Sequence, residues 1–305
     1  MNLSELRQDP ISGDWIAIAP GRGKRPHSFA NSVRRKRAQK KGCPFENPRT
    51  LDHRKPFLQI NDKNGWFLQI VENKFPAFVH RDLCATIGKR GPYAVTPGIG
   101  HHEVLITRDH DADLSDLSVE QATEVFQALQ DRYLMLIEDK CLEYVSIFHN
   151  WGSSAGASVY HPHYQLIAIP VVPPDFMHSL RGAADYYRRH KECVHCLMLA
   201  WELKDRKRVI FENRHAIAFA PFVSRSAFEI RVFPKRHLPF FENTGEVELA
   251  GVVEALRNAV LAIKRRLKDP DYNFFIHTAP MRRKDRYGSY HWHIEVLPKV
   301  TVDAG

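Results

Sequence analysis

The amino-acid sequence predicts an α+β fold built from two tandem units, each an antiparallel sheet with a long helix on one face. Strand-like apolar runs joined by turns predict the sheets, and one long amphipathic stretch in each half predicts the helices. The same order of elements occurs twice along the 305 residues, which indicates an internal repeat. We therefore divide the chain into units 1–172 and 173–305, joined by the Pro-containing segment 171–174.

In the first unit, an apolar run leads to His110, and a strand follows the segment that holds His161 and His163. A long amphipathic stretch and a further apolar run lie between them. The predicted elements are strands at 103–107, 144–148 and 166–170 and a helix at about 118–140.

The second unit repeats this plan, with His237 in the place of His110 and with His291 and His293 before the final strand. A helical stretch at about 179–203 opens it. The repeated elements are strands at 229–233, 273–277 and 294–298 and a helix at about 245–267.

The composition is that of a globular protein with a basic surface. The formal net charge is +9, and much of the excess lies at 22–41, including the run Arg34-Arg35-Lys36-Arg37. Such a run either binds a polyanion or forms a solvated loop; we favour the loop, because no aromatic residues are interleaved with it as in a nucleic-acid groove. A basic chain suits a small anionic substrate. Without a leader or a long apolar stretch, we expect a cytoplasmic protein with no membrane partner.

The segment 150–165 carries the most specific signal. Small residues around Gly152 and Gly156 allow a backbone to approach a phosphate, and Asn150 and Ser158 add side-chain donors. A histidine beside such a loop, here His163, can attack phosphorus as a nucleophile.

This segment resembles the galactose-1-phosphate uridylyltransferases and their nucleotidyltransferase relatives in the histidine-triad superfamily. That branch has Gln in place of the third histidine of the triad, and Gln165 stands there in His161-Pro162-His163-Tyr164-Gln165. The resemblance implies histidine-triad-like units and a nucleotidyl group carried on His163. It also implies contacts from Gln165, Asn150 and Ser158 to the phosphoryl oxygens.

The resemblance extends from about 7 to 299. The N-terminal pattern Asp9-Pro10, Trp15, Pro20 and Arg22 to Pro26 follows the family's opening, where arginines matching Arg22 and Arg25 lie near the substrate phosphates. Arginine suits this role because its planar fork binds phosphate oxygens bidentately. The segment 72–77 resembles the nucleoside-binding segment, with Asn73 near the ribose or base.

Two metal sites follow from the resemblance and the repeat. Two thiolates and two imidazoles form the closed tetrahedral set that zinc prefers, and the predicted ligands are Cys193, Cys196, His237 and His291. A rival iron-type set in the family uses a carboxylate and three histidines, here His277, His291 and His293.

The first-half set is Cys43, Glu46, His110 and His161, in which Glu46 replaces the usual cysteine. That site is weakened, emptied or rebuilt with His101 or His102.

Other features bear on the ends of the chain and on the remaining cysteines. Family members generally continue into a tail that helps bind the sugar phosphate, and this sequence ends at Gly305. The basic segment 282–287 either compensates for the tail or is an exposed loop. Cys84 and Cys141 have no evident partners, and Cys141 is expected to be a small core residue.

The expected reaction is a ping-pong transfer between a nucleotide sugar and a hexose 1-phosphate. The first candidate is UDP-glucose and galactose 1-phosphate exchange, and the second is an adenylyl-transferring relative such as ADP-glucose phosphorylase or dinucleoside tetraphosphate phosphorylase. A non-catalytic nucleotide or nucleic-acid binding module is the alternative of another class. The family also implies a homodimer.

Overall fold

The structure is a computed structural model that describes residues 4–19, 35, 37–48 and 55–300. Four α-helices and fourteen strands lie in these ranges. The helices are α1 (Val119–Ile137), α2 (Pro174–His190), α3 (Val194–Asp205) and α4 (Glu246–Arg266). The strands are β1 (Glu5–Gln8), β2 (Trp15–Ile18), β3 (Leu58–Asp62), β4 (Gly65–Glu72), β5 (Gly88–Arg90), β6 (Tyr93–Val95), β7 (His101–Thr107), β8 (Tyr144–Trp151), β9 (His163–Ile169), β10 (Val209–Glu212), β11 (Ala216–Phe219), β12 (Ile230–Pro234), β13 (Tyr272–His277) and β14 (His293–Pro298).

Ten strands form one antiparallel sheet in the order β10-β11-β12-β14-β13-β8-β9-β7-β4-β3. The strands of the two predicted halves meet where β8 pairs with β13, with Phe148 opposite Phe275. Two short hairpins, β1-β2 and β5-β6, lie outside this sheet. The α+β class with antiparallel strands is confirmed, and the sheets of the two halves are continuous.

The two long helices cover one face of the sheet. α1 and α4 contact each other, and apolar side chains of both join Tyr164, Leu166 and Ile294 in one buried cluster. α1 begins at a capping box, in which Ser118 accepts a hydrogen bond from the backbone of Gln121 and the Gln121 side chain accepts one in return. Because side chains alternate along a strand, the residues between these core positions point to the opposite face. That face carries His163 and Gln165.

The helices agree with the sequence prediction except at 179–203. That stretch is two helices, because Lys191 adopts a left-handed conformation (φ 61°) that ends α2, and α3 begins only after Cys193. α2 also begins at Pro174 inside the predicted linker, since proline is suited to a first helical position. None of the helices in the described ranges combines the length and apolar character needed to cross a membrane.

The prediction that Cys84 and Cys141 lack partners is wrong. They form a disulfide, because the loop after β4 packs against the turn that follows α1 and brings their Cα atoms to 5.0 Å. Cys141 is therefore a half-buried, disulfide-bonded residue and not a small residue of the apolar core.

Candidate active site

His163 begins β9 on the sheet face opposite the long helices. The residue is 6% exposed, and its Nδ1 lies 2.9 Å from the carbonyl oxygen of His161. Because a carbonyl oxygen only accepts, Nδ1 carries the proton and donates it, which leaves the lone pair on Nε2. Burial lowers the pKa of His163, so the imidazole is neutral near pH 7. No hydrogen bond from the described residues engages Nε2, which leaves this atom able to attack an electrophile.

The backbone of His163 is itself held by a buried histidine. Nδ1 of His149 donates to the carbonyl oxygen of His163 over 2.7 Å, and the His149 ring stacks on Tyr164 with 4.7 Å between ring centroids. Burial lowers the pKa of His149 to about 3, so this ring also stays neutral. On the other side, Phe45 packs against the His163 ring at 5.0 Å. The imidazole is therefore fixed in both position and tautomer.

Gln165 points from the same face of β9, and His102 on β7 orients its amide. Nδ1 of His102 accepts the backbone N–H of Ala77 over 3.0 Å, so the neutral ring carries its proton on Nε2. That Nε2 lies 3.0 Å from Oε1 of Gln165 and also 3.0 Å from Nδ2 of Asn73. Only Gln165 Oε1 can accept the proton, because Nδ2 of Asn73 is a donor. The amino group of Gln165 is consequently left to donate elsewhere.

The segment between β8 and β9 is a tight turn. Gly152 and Gly156 have φ values of +87° and +88°, which favour glycine, and a Cβ on Gly152 would lie 1.9 Å from Oδ1 of Asp271. The backbone N–H of Ser154 donates to Asp271, and the three amides that follow it donate to carbonyls within the turn. Hydrogen bonds within the protein therefore occupy the amides of 154–157, and a phosphate contact from this turn stays a prediction.

Side-chain donors remain at both ends of this turn. Oδ1 of Asn150 accepts from Asn273 over 2.8 Å, and Nδ2 of Asn150 lies beside Gly156. Its amino group is thus directed over the turn, as the amide of Gln165 is directed by His102. Ser158 is exposed and lines a cavity of about 370 Å³ together with Arg35.

The Arg35 side chain is largely buried, although we favoured a solvated loop for its basic run. The side chain is 11% exposed, donates to Asp271 over 3.1 Å and lies 4.2 Å from the ring centroid of Trp151. Its neighbour Arg37 binds Asp111 at the surface. Arg22 and Arg25, the predicted phosphate-binding arginines, lie outside the described residues.

Four potential metal ligands of the second half converge as predicted. The ligand atoms of Cys193, Cys196, His237 and His291 all lie within 4.8 Å of one another. Nδ1 of His237 and Nδ1 of His291 lie 3.3 and 3.5 Å from Sγ of Cys196, and Nε2 of His237 donates to the carbonyl oxygen of Gly288. Hydrogen bonding to Cys196 lowers the pKa of the Cys193 thiol, which favours the thiolate that binds metals. The set fits a tetrahedral metal ion.

The first-half set also converges, with Glu46 included. Oε1 of Glu46 lies 2.7 Å from Nδ1 of His110 and 3.5 Å from Nδ1 of His161, which is 3.7 Å from Sγ of Cys43. Both histidines donate Nε2–H to backbone carbonyls, those of Ala38 and Thr107. In the neutral rings the Nδ1 lone pairs then face the Glu46 carboxylate, and a bound metal ion would join these atoms.

The alternative ligands considered for these two sites lie elsewhere. His102 contacts Gln165, and His101 faces Asp139, because each belongs to β7 at a distance from Cys43. His277 pairs with Glu295 at 3.3 Å, and within the described residues it does not join His291 in a ligand cluster.

The second half carries a counterpart of the nucleophile. Nδ1 of His293 lies 3.1 Å from the carbonyl oxygen of His291, which repeats the geometry of His163. Glu295 occupies the position of Gln165, since each lies opposite a phenylalanine of the preceding strand. A cavity of about 420 Å³ adjoins His293 and Glu295. A carboxylate in this place repels phosphate, so the duplicate is unsuited to the same chemistry.

The basic segment 282–287 is engaged with the protein. Arg282 donates to the backbone carbonyls of Ile137 and Asp139 at the end of α1, and Lys284 binds Glu242 over 2.6 Å. These two side chains are therefore engaged in structural contacts within the protein.

Similarity to known proteins extends over both halves. A family described as a domain of unknown function (DUF4921) matches residues 46–264. An ADP-glucose phosphorylase of Arabidopsis thaliana is 31% identical over 306 residues, covering 99% of this chain and 86% of the relative. A galactose-1-phosphate uridylyltransferase of Thermotoga maritima is 25% identical over 304 residues, covering 97% and 87%. The crystal structure of ADP-glucose phosphorylase from A. thaliana with bound ADP-glucose matches with a TM-score of 0.82 at 28% identity, covering 100% of this chain and 91% of that chain.

Proposed function

This chain belongs to the DUF4921 family, among the galactose-1-phosphate uridylyltransferase-like nucleotidyltransferases of the histidine-triad superfamily, and we propose that it transfers a nucleoside monophosphate through a covalent bond to Nε2 of His163. One observation carries this proposal. The Nδ1–H of His163 is donated to the carbonyl oxygen of His161, so the free lone pair lies on Nε2 of a buried neutral ring.

In the first step, Nε2 of His163 attacks the α-phosphorus of a nucleoside diphosphate sugar. The P–N bond forms as the P–O bond to the β-phosphate breaks, and sugar 1-phosphate leaves with the electron pair of that bond. The ring then carries a positive charge, which the His161 carbonyl stabilises through the Nδ1–H. In the second step, an oxygen of an acceptor phosphate attacks the same phosphorus, and the P–N electron pair returns to Nε2.

The transition state places negative charge on the phosphoryl oxygens, and donors that are held in advance stabilise it most. The amino groups of Gln165 and Asn150 are suited to this, because His102 and Asn273 occupy the oxygen atoms of the two amides. By resemblance, Ser158, Arg22 and Arg25 add further donors, and Asn73 contacts the nucleoside.

We assign zinc to both four-ligand sets, one of Cys193, Cys196, His237 and His291 and the other of Cys43, Glu46, His110 and His161. Zinc there would supply a structural crosslink. Its effect on the reaction would be indirect, because it would hold His161 in place. The carbonyl oxygen of His161 accepts the Nδ1–H of His163 and so fixes the tautomer of that ring.

For the substrate, we propose ADP-glucose with inorganic phosphate as the acceptor. The support is the 31% identity to the ADP-glucose phosphorylase and the TM-score of 0.82 to the structure with bound ADP-glucose. The exchange of UDP-glucose and galactose 1-phosphate is the second candidate, supported by the similarity to the T. maritima uridylyltransferase.

The test is to incubate the protein with ADP-glucose or UDP-glucose without an acceptor, quench at alkaline pH and measure intact and peptide masses. We expect AMP on His163, released when phosphate is added. His163→Ala should form no adduct, whereas His293→Ala is a matched control that removes a histidine with the same backbone hydrogen bond and should still form it. Turnover without an adduct from either nucleotide sugar would contradict the covalent mechanism.

We also propose a homodimer. The N-terminal hairpin exposes Leu6 and Trp15, at 68% and 61%, and a second subunit would remove such apolar area from water. Light scattering of the purified protein should give twice the mass of one chain. A single-chain mass at micromolar concentration would contradict this proposal.

A further inference from the structure

A third group of potential metal ligands lies apart from the two four-residue sets. His80 belongs to the loop before β5, His101 is the first residue of β7, and Asp139 follows α1; their ligand atoms lie within 4.8 Å of one another. Nδ1 of His80 and Nε2 of His101 lie 3.8 and 3.5 Å from the same oxygen, Oδ2 of Asp139. The two imidazole rings are 4.7 Å apart, so both nitrogens approach this oxygen from the same side.

The remaining nitrogen of each histidine faces another carboxylate. Nδ1 of His101 lies 3.5 Å from Oε1 of Glu103, whose side chain is 1% exposed and binds Arg132 through both oxygens. Nε2 of His80 lies 3.6 Å from Asp82. A histidine that binds a metal almost always donates its other N–H to a carboxylate, carbonyl or water, which orients the ring. Both histidines therefore have the surroundings of metal ligands.

The carboxylate of Asp139 is oriented as well. Its Oδ1 accepts the backbone N–H of Cys141 over 3.0 Å, and its backbone carbonyl accepts from Arg282 over 2.6 Å, so Oδ2 is directed to the histidines. The disulfide from Cys141 to Cys84 ties this turn to the loop that carries His80. The three ligands are thus held together by contacts that do not depend on a metal ion.

We propose that His80, His101 and Asp139 bind a divalent first-row transition metal ion of the zinc class. Two imidazole nitrogens and one carboxylate oxygen match the preferences of such ions, and three protein ligands leave a position for water. The 49% exposure of the His80 side chain gives the ion a path from solvent. Because His101 and His102 alternate on β7, the site lies on the sheet face opposite Gln165, and the proposal stands apart from the transfer reaction.

The experiment counts zinc ions and measures their affinity in the full chain. Zinc is titrated in competition with a chromophoric chelator for the wild type, Asp139→Asn, His80→Ala and the control His190→Ala, which removes an exposed histidine at the end of α2. We expect wild type and control to bind one ion more than the two variants under the same conditions. Loss of either ligand should lower the affinity for that ion by about 100-fold or more, since even outer contacts to a metal site change affinity by about 10–100-fold.

Cobalt substitution separates this site from the cysteine sites and tests the fold. Cobalt at His80, His101 and Asp139 adds visible absorption without the thiolate-to-cobalt charge-transfer band that Cys193 and Cys196 produce. We expect both variants to keep the charge-transfer band and lose the added visible absorption. Equal zinc counts and affinities in the wild type and either variant would overturn the proposal.

Discussion

Nε2 of His102 donates to Oε1 of Gln165 over 3.0 Å, and this hydrogen bond determines which end of the Gln165 amide faces the site. The direction follows from the other ring nitrogen, which accepts the backbone N–H of Ala77. His102 is therefore a positioning residue: it acts on the reacting phosphate through Gln165.

We expect His102→Ala to slow formation of the nucleotidyl-histidine by about 10-fold, less than the loss of about 100-fold for Gln165→Ala, since removal of one preorganised donor costs 10²–10³. His102→Gln, which can still donate to Oε1, should recover most of the rate. Single-turnover experiments with an alkaline quench measure these rates. A His102→Ala enzyme as fast as the wild type would show that Gln165 orients itself.

Much of the site was predictable because its chemistry is local in sequence. Gly152, Gly156, His161 and His163 lie within one segment, and the thiol spacing of Cys193 and Cys196 predicts a metal set without knowledge of the fold. The helices α1 and α4 followed from apolar periodicity. Such patterns can be recognised in the sequence because the residues that produce them are neighbours along the chain.

The positions that were missed depend on strand register. His102 reaches Gln165 because β7 pairs with β9 with Val104 opposite Gln165, and nothing within either strand fixes that pairing. Asp271 reaches the turn at Gly152 through the pairing of β8 with β13, which joins the two halves. Predicting the disulfide between Cys84 and Cys141 would have required the path of the loop that carries Cys84, which hydrophobic patterning does not describe.

Arg35 and Arg37 offer a comparison between a buried and an exposed cation two residues apart. Arg35→Gln leaves Asp271, which is 8% exposed, without its ion-pair partner, and we expect the free energy of unfolding to fall by about 3 kcal/mol. Arg37→Gln removes a pair whose arginine is 68% exposed, and we expect no measurable change. Urea denaturation of both variants makes the comparison. Equal effects of the two substitutions would contradict the buried role of Arg35.

Glu46→Cys should tighten metal binding in the first half. A thiolate in place of the carboxylate gives two cysteines and two histidines, a set that zinc holds more firmly than one containing an oxygen ligand. We expect zinc to be removed more slowly by a chelator and the melting temperature to rise. The rate of adduct formation of the zinc-loaded protein should be unchanged, because the metal still binds His161 and does not touch the phosphorus. Glu124→Cys, at an exposed position of α1, is the control for adding a thiol elsewhere. Unchanged zinc release from Glu46→Cys would place the metal ligands elsewhere.

The buried His149 makes stability depend on pH. Its pKa is about 3 in the folded protein because of burial, against an ordinary value of 6.5, so between these values the unfolded chain binds a proton that the folded chain excludes. Acidification from pH 6 to pH 4 therefore favours unfolding, by about 1.4 kcal/mol per pH unit for this group.

His149→Gln removes the titration and keeps a donor for the carbonyl oxygen of His163. Urea denaturation at pH 6, 5 and 4 measures its free energy of unfolding. We expect this free energy to fall less steeply with acidification than that of the wild type, and the difference in slope should correspond to one bound proton. His190→Gln, a substitution at an exposed position, should leave the wild-type slope intact. If the free energy of unfolding depended on pH equally in His149→Gln and the wild type, His149 would be charged in the folded protein. An imidazolium would then donate to the carbonyl oxygen of His163.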